Sequence, residues 1–171
     1  MTNEDAKTFV QKIFQESNEI KVEVLEGGKM PTKAHASDAG WDLYATEDIT
    51  IFPGQVMKHP LNIRLELPAN TWAEITSKSG LGAKGLMVYA GVIDQGYRGI
   101  PHVVFTNLWI IDQIDEQGYP LMRTQPIVIK KGEKLAQLIM NPYSESFYMT
   151  QVDKISTETT RGGAGFGSSG K

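Results

Sequence analysis

The sequence predicts an all-β fold: a sandwich, jelly roll or small barrel. Three observations carry that prediction. Short runs of apolar residues alternate with polar ones at a period of two, and turn residues sit between the runs, drawing on 17 glycines and 8 prolines among 171 residues. No repeating strand–helix alternation supports a Rossmann-like sheet.

Taken in order, residues 1–18 form an N-terminal extension. Phe9, Val10, Ile13 and Phe14 fall on one side of a short helix, which stops near Ser17–Asn18. From there the period becomes two: Ile20, Val22 and Val24 alternate with Lys21 and Glu23 until Gly27–Gly28 ends the run, a half-buried strand. Ile49 and Ile51 run into Pro53–Gly54, and Leu61, Ile63, Leu65 and Leu67 alternate up to Pro68. Further strands are expected at 72–76, 86–89, 102–106, 127–129 and 135–140. The β domain spans 19–158, with an insert at about 108–128, and 159–171 is a flexible glycine-rich tail. The insert carries Trp109, Ile110, Ile111 and Ile114, too apolar for an ordinary solvated loop, so it is expected to be packed, a partner protein being one surface it could pack on.

Composition narrows the function. The chain is 40% hydrophobic and 22% charged, ordinary for a soluble globular domain. A net charge of −3 gives no reason to expect nucleic acid or an anionic membrane as partner, so any polyanion must meet positive charge concentrated locally. With no cysteine, disulfides and thiolate metal sites are excluded. No apolar run reaches membrane-spanning length and Met1–Ser17 is not signal-like, so a cytoplasmic location is the expectation. His35, His59 and His102 stand at no metal-ligand spacing.

Five segments could carry chemistry, and each has a plainer reading. In the tail, Gly165 to Gly170 fits G-x-G-x-x-G and Gly165 to Lys171 fits part of a P-loop, but both need a flanking strand and helix that are not expected here. What remains is physical: glycine amides can approach phosphate, Ser168 and Ser169 add hydroxyls, Arg161 offers a planar fork, and Phe166 suits stacking on a base. A solvated linker would look the same. Gly91-Val92-Ile93-Asp94-Gln95-Gly96-Tyr97-Arg98-Gly99 reads as a β-hairpin whose Asp94 is either a turn residue or a general base towards water. Ser37-Asp38-Ala39-Gly40-Trp41-Asp42-Leu43 sets two carboxylates four residues apart; Asp38 is expected to form a turn, and acids here could hold a hydrated Mg²⁺. Ser77-Lys78-Ser79-Gly80-Leu81 is a weak phosphate signal or a plain turn. Gln137, amid Leu135, Leu138 and Ile139, needs a partner.

Together and in this order, these segments resemble the five motifs of the homotrimeric dUTPase family over about residues 20–171, apart from much of 108–128. The resemblance implies a jelly-roll-like β-clip subunit and a threefold trimer. Each site would take motifs from three chains, closed by a C-terminal lid. It implies Asp94 as the base that activates the attacking water, Tyr97 under the deoxyribose, and the main chain of Gly91, Val92 and Ile93 reading uracil. Asp42 would contact Mg²⁺ through water. Lys78, Ser79, Gly80 and Gln137 would meet the phosphates; Arg161 would meet the γ-phosphate, Phe166 would lie over uracil, and Gly167, Ser168 and Ser169 would cradle phosphate. The implied reaction is hydrolysis of dUTP to dUMP and pyrophosphate with Mg²⁺ as cofactor.

Two alternatives stay open: a dCTP deaminase of related fold, and a dUTPase-derived regulatory protein binding a partner through 108–128. The sequence departs from the family pattern at Lys78, where arginine is usual, at Glu133-Lys134, where Asp-Arg is usual, and in the length of 108–128. Lysine keeps the charge at 78 but loses the bidentate fork.

Overall fold

The computed structural model of the chain describes residues 4, 5, 7, 18–108, 111–122, 125–155 and 159. The expectations of an N-terminal helix and of a C-terminal lid fall largely outside the described residues. The described elements, in chain order, are β1 (Lys21–Val24), β2 (Gly40–Tyr44), β3 (Ile49–Ile51), β4 (Val56–Pro60), β5 (Ile63–Glu66), β6 (Thr71–Thr76), the short helix α1 (Ser79–Gly82), β7 (Leu86–Tyr89), β8 (Val92–Ile93), β9 (His102–Asn107), β10 (Ile111–Ile114), β11 (Pro120–Met122), β12 (Ile127–Ile129) and β13 (Lys134–Pro142). The described residues are mostly β with almost no helix, as the patterning predicts.

Period-two alternation becomes one-sided burial. In β5, Ile63 and Leu65 are buried while Arg64 and Glu66 face out. Both β3 and β12 bury their outer two residues and expose the middle one. The buried faces meet in one core that includes Phe105, Leu43, Ile51, Ile63, Leu86, Ile129, Leu135 and Leu138. Burying an aliphatic or aromatic side chain of this size is worth about 1.5–3 kcal/mol. The strands form a four-stranded sheet ordered β2-β13-β6-β8, a three-stranded sheet ordered β4-β9-β7, and the pairs β1-β5, β3-β12 and β10-β11.

Three features differ from the sequence reading. Strand β4, which carries Lys58, His59 and Pro60, pairs antiparallel with β9, its proline lying at the strand end where a missing amide does least harm. Strand β8 pairs with β6, so Val92–Ile93 and the turn at Asp94–Tyr97 are not a hairpin between neighbouring strands. The stretch 108–128, expected only to be a packed insert, carries a strand pair not read from the sequence: β10 and β11 pair with each other, and Asp115 Oδ1 accepts the Gln117 and Tyr119 amides at 3.0 and 2.7 Å to close the turn.

Candidate active site

Strand β6 separates two clusters of the sequence-predicted residues. On one side Ala90, at φ 53°, turns the chain out of β7 into a left-handed conformation, and Gly91 follows against β6, where its carbonyl accepts the Ile75 amide at 2.8 Å. A Cβ on Gly91 would overlap the Ile75 carbonyl, so only glycine brings the two backbones this close. The chain then pairs with β6 through Val92 and Ile93 and turns at Asp94, whose carbonyl accepts the Tyr97 amide at 3.0 Å.

The result is a cavity of about 240 Å³ lined by Gly91, Val92, Ile93, Asp94 and Tyr97 together with Lys58, Ile75, Pro101, His102 and Val104. The Tyr97 ring lies against Gly99, and its hydroxyl donates to the Ile100 carbonyl at 3.1 Å. Gln95 anchors the turn from behind, its Oε1 accepting the Asn70 amide at 3.0 Å and the Tyr143 hydroxyl at 2.9 Å. Asp94 stands exposed at the mouth.

The second cluster gathers on β2, β13 and the loop after β6. Gln137 pairs across strands with Asp42 on one side and Thr76 on the other. Its Nε2 donates to the Ser77 carbonyl at 2.9 Å, the partner its apolar surroundings demand. Asp42 is buried, and each carboxylate oxygen accepts from a lysine: Oδ1 from Lys78 and Oδ2 from Lys134, the latter at 2.7 Å. Burial alone would push the Asp42 carboxyl up, but hydrogen bonds from Lys134 and Lys78 outweigh it and hold the group below its ordinary value. Ser79 and Gly80 open α1 directly after Lys78 and are exposed. Positive charge is thus concentrated locally on an acidic chain. Asp38 forms the expected turn, its Oδ2 accepting the His35 amide at 2.9 Å.

Asp42 and its neighbours fit Mg²⁺ only in a particular way. Among the described residues no three His, Cys, Asp or Glu side chains gather to hold a metal ion, and the one buried carboxylate in this cluster already carries two ammonium groups. Such a donor set suits an ion that keeps its waters and is brought by a phosphate ligand, as Mg²⁺ characteristically is.

The lining of the cavity includes none of Asp42, Lys78, Ser79, Gly80 or Gln137. The sequence nonetheless runs through both clusters in one family pattern: a model of the dUTPase family matches residues 26–114 and 121–170. The chain belongs to the dUTPase family. It is 38% identical to the deoxyuridine 5'-triphosphate nucleotidohydrolase of Clostridium tetani over 159 residues, covering 89% of this chain and 97% of that protein. It is also 34% identical over 169 residues to the Pol polyprotein of an ovine maedi visna related virus, of which it spans 13%. Among solved structures it resembles the Staphylococcus bacteriophage 80alpha dUTPase with dUpNHpp, at a TM-score of 0.71 and 27% identity, covering 90% of this chain and 99% of that one. It also resembles a dUTPase from S. aureus phage phi11 described with a structural Mg(II) ion, at a TM-score of 0.65 and 26% identity, covering 80% and 98%.

Within the family pattern, the third motif builds the cavity and the first, second and fourth build the Asp42 cluster. Arg161, Phe166, Gly167, Ser168 and Ser169 lie outside the described residues. The family match is interrupted across 115–120, the tip of the β10–β11 hairpin, within the 108–128 stretch expected from the sequence to be an insert.

Sequence reading missed Lys58 and His102 on the cavity wall, and Lys134 on Asp42. The pairing of β4 with β9 sets Lys58 opposite Val104 and Pro60 opposite His102, which no local signal reveals. Lys134 is legible in the sequence only as part of the Glu133-Lys134 departure from the family pattern, and its contact with Asp42 depends on an irregularity in β13. Among the described residues no helix is long and apolar enough to cross a membrane.

Proposed function

We propose that the chain is a dUTP diphosphatase that hydrolyses dUTP to dUMP and pyrophosphate, with Asp94 taking the proton of the water that attacks the α-phosphorus. The observation that carries this reading is the cavity in which Gly91, Val92, Ile93, Tyr97 and the exposed Asp94 carboxylate meet. Backbone groups at Gly91–Ile93 would hydrogen-bond the edge of uracil and exclude a methyl at C5. The Tyr97 ring, braced on Gly99, would pack against the deoxyribose and leave no room for a 2′-hydroxyl. A carboxylate held at the mouth of such a pocket is suitably placed to act as general base, a contribution of about 10²–10⁴-fold to rate.

The phosphates would extend to Lys78, Ser79, Gly80 and Gln137, with Asp42 contacting Mg²⁺ through water. When bound with the triphosphate, Mg²⁺ would supply charge neutralisation on the phosphate oxygens. Arg161, Phe166, Gly167, Ser168 and Ser169 would cover the nucleotide from a neighbouring chain.

Two observations support a homotrimer. The cavity and the Asp42 cluster are separate groups on one chain, as expected if each is half of a site completed by another copy. After β13 the chain exposes Phe147 (86%) and Tyr148 (87%), with Val152 and Ile155 also exposed, an apolar arm suited to a neighbour's surface.

The test is pyrophosphate release from dUTP, dTTP, UTP and dCTP, with and without Mg²⁺. Turnover of dUTP alone, dependent on Mg²⁺, is expected. Absence of dUTP turnover would end the reading, and conversion of dCTP to dUTP would favour the deaminase.

A second role has its own support. The β10–β11 hairpin exposes Ile114 (69%) at the edge of the stretch outside the family match and Tyr119 (68%) within it. Such a tip suits a regulatory protein partner. A pull-down comparing the full chain with one shortened across 109–125 tests it; identical partners would remove the idea.

A further inference from the structure

We propose that Lys134 is a positioning residue that holds Asp42 for its contact with the metal's water, an inference that rests on the dUTP hydrolysis reading above. Asp42 carries one lysine on each oxygen, Lys78 on Oδ1 and Lys134 on Oδ2. The two cations are not equivalent. Lys78 belongs to the loop that leads into the exposed Ser79 and Gly80, and an arriving triphosphate competes for it directly. Lys134 begins strand β13, ahead of Gln137, where that strand starts to pair with β6 as well as β2, and so lies outside the loop that holds Lys78.

How Lys134 reaches the carboxylate is the telling feature. Residues opposite one another across a strand pair project from the same face. Gln137 opposes Asp42, while Ala136 and Leu138 oppose Leu43 and Trp41. With strict alternation Lys134 would share the face of Ala136 and Leu138, both buried in the core. The register instead shifts between Lys134 and Ala136, so that Lys134 opposes Tyr44, two residues from Asp42 and on its face. A one-residue bulge of this kind re-aims a side chain. Here it turns an ammonium group away from the core and onto Asp42.

The consequence is a division of labour. When phosphate takes Lys78, Oδ1 becomes free to accept from the metal's water. Lys134 keeps Oδ2, so the carboxylate stays paired and oriented while its partner leaves. In the free protein both oxygens are occupied and the cluster is net positive, so Mg²⁺ alone has little to bind.

The test compares Lys134→Met and Lys134→Arg with the parent. Binding of dUpNHpp is followed by calorimetry as Mg²⁺ is varied, alongside binding of dUMP without metal. Lys134→Met keeps Asp42 paired with Lys78, so folding is expected to survive. The Mg²⁺ concentration that half-maximally tightens dUpNHpp binding should rise at least about tenfold in Lys134→Met, the scale on which supports of metal ligands act. Binding of dUMP should be unchanged, kcat should fall more than KM rises, and Lys134→Arg should restore the Mg²⁺ dependence. A parental Mg²⁺ dependence in Lys134→Met, or no rescue by arginine, would overturn the inference and leave the diphosphatase reading standing. A parent protein that neither binds dUpNHpp nor turns over dUTP would remove the reading first, before any variant is compared.

Discussion

Replacing Gly91 with alanine should damage the candidate pocket and the fold together. A Cβ at this position would overlap the Ile75 carbonyl oxygen and lie 2.9 Å from its carbon. The oxygen is the tighter contact: at 1.9 Å it lies well inside the 3.0 Å that a Cβ tolerates, so the backbone must yield by at least about 1.1 Å. Both partners of the clash are backbone, one in β6 and the other entering β8, so no side chain can swing away. Forcing extra volume into a packed site costs about 1–3 kcal/mol. Weakening the 2.8 Å bond from the Ile75 amide to the Gly91 carbonyl adds about 1 kcal/mol.

The lower entropy of an alanine-bearing unfolded chain returns about 0.4–1 kcal/mol. The net loss is about 1–3.6 kcal/mol, which for a chain of this size lowers the melting temperature by about 2–14 °C. Because the displaced segment carries Val92, Ile93 and Asp94, positional errors of this order should lower kcat/KM for dUTP by about 10–10²-fold. Differential scanning calorimetry and a continuous pyrophosphate assay measure the two effects. A Gly91→Ala protein with the parent's melting temperature and kcat/KM would refute the close-approach reasoning.

Further outcomes can be checked with the same assays. Asp94→Asn should lose about 10²–10⁴-fold in kcat while binding dUpNHpp as the parent does; normal turnover would remove Asp94 as the base. Deletion from Arg161 onward should leave a trimer by light scattering but badly impaired hydrolysis, and full activity would contradict a site closed from a neighbouring chain. His59 should make stability depend on pH. Burial pushes its ring below the ordinary value of 6.5, with Glu47 opposing and His102 reinforcing the shift, and Nε2 accepts the Thr46 amide at 3.0 Å. The folded state therefore favours the neutral ring, so this contribution is complete above the unfolded value and is lost as pH falls through the folded one. His59→Gln should flatten the fall in melting temperature between about pH 7 and about pH 5, whereas equal slopes would exclude His59 as the source.

Much of this fold is readable from local pattern because burial of one strand face writes itself into alternate residues. Ile63-Arg64-Leu65-Glu66 and Ile49-Thr50-Ile51 each bury the residues that their alternation marks. The order of the five motifs is likewise a property of the chain alone, and it was enough to point to the dUTPase family. Strand β2 was harder to read because Leu43 is buried along with Asp42 and Tyr44, so no polar face marks its period. Strand β4 was harder because Val56 and Lys58 are exposed together and a proline ends it.

The site needed three dimensions for a different reason. Lys58 and His102 reach the same cavity wall only because β4 pairs with β9, and Ile75 meets Gly91 only because β8 pairs back onto β6. The side on which Lys134 projects depends on a bulge, and a bulge is defined only against the partner strand. Alternation, turn chemistry and motif order are carried by neighbours along the chain. Pairing register, the face on which a lysine emerges and the cations that share a carboxylate arise from contacts between residues distant in sequence, which local pattern does not encode.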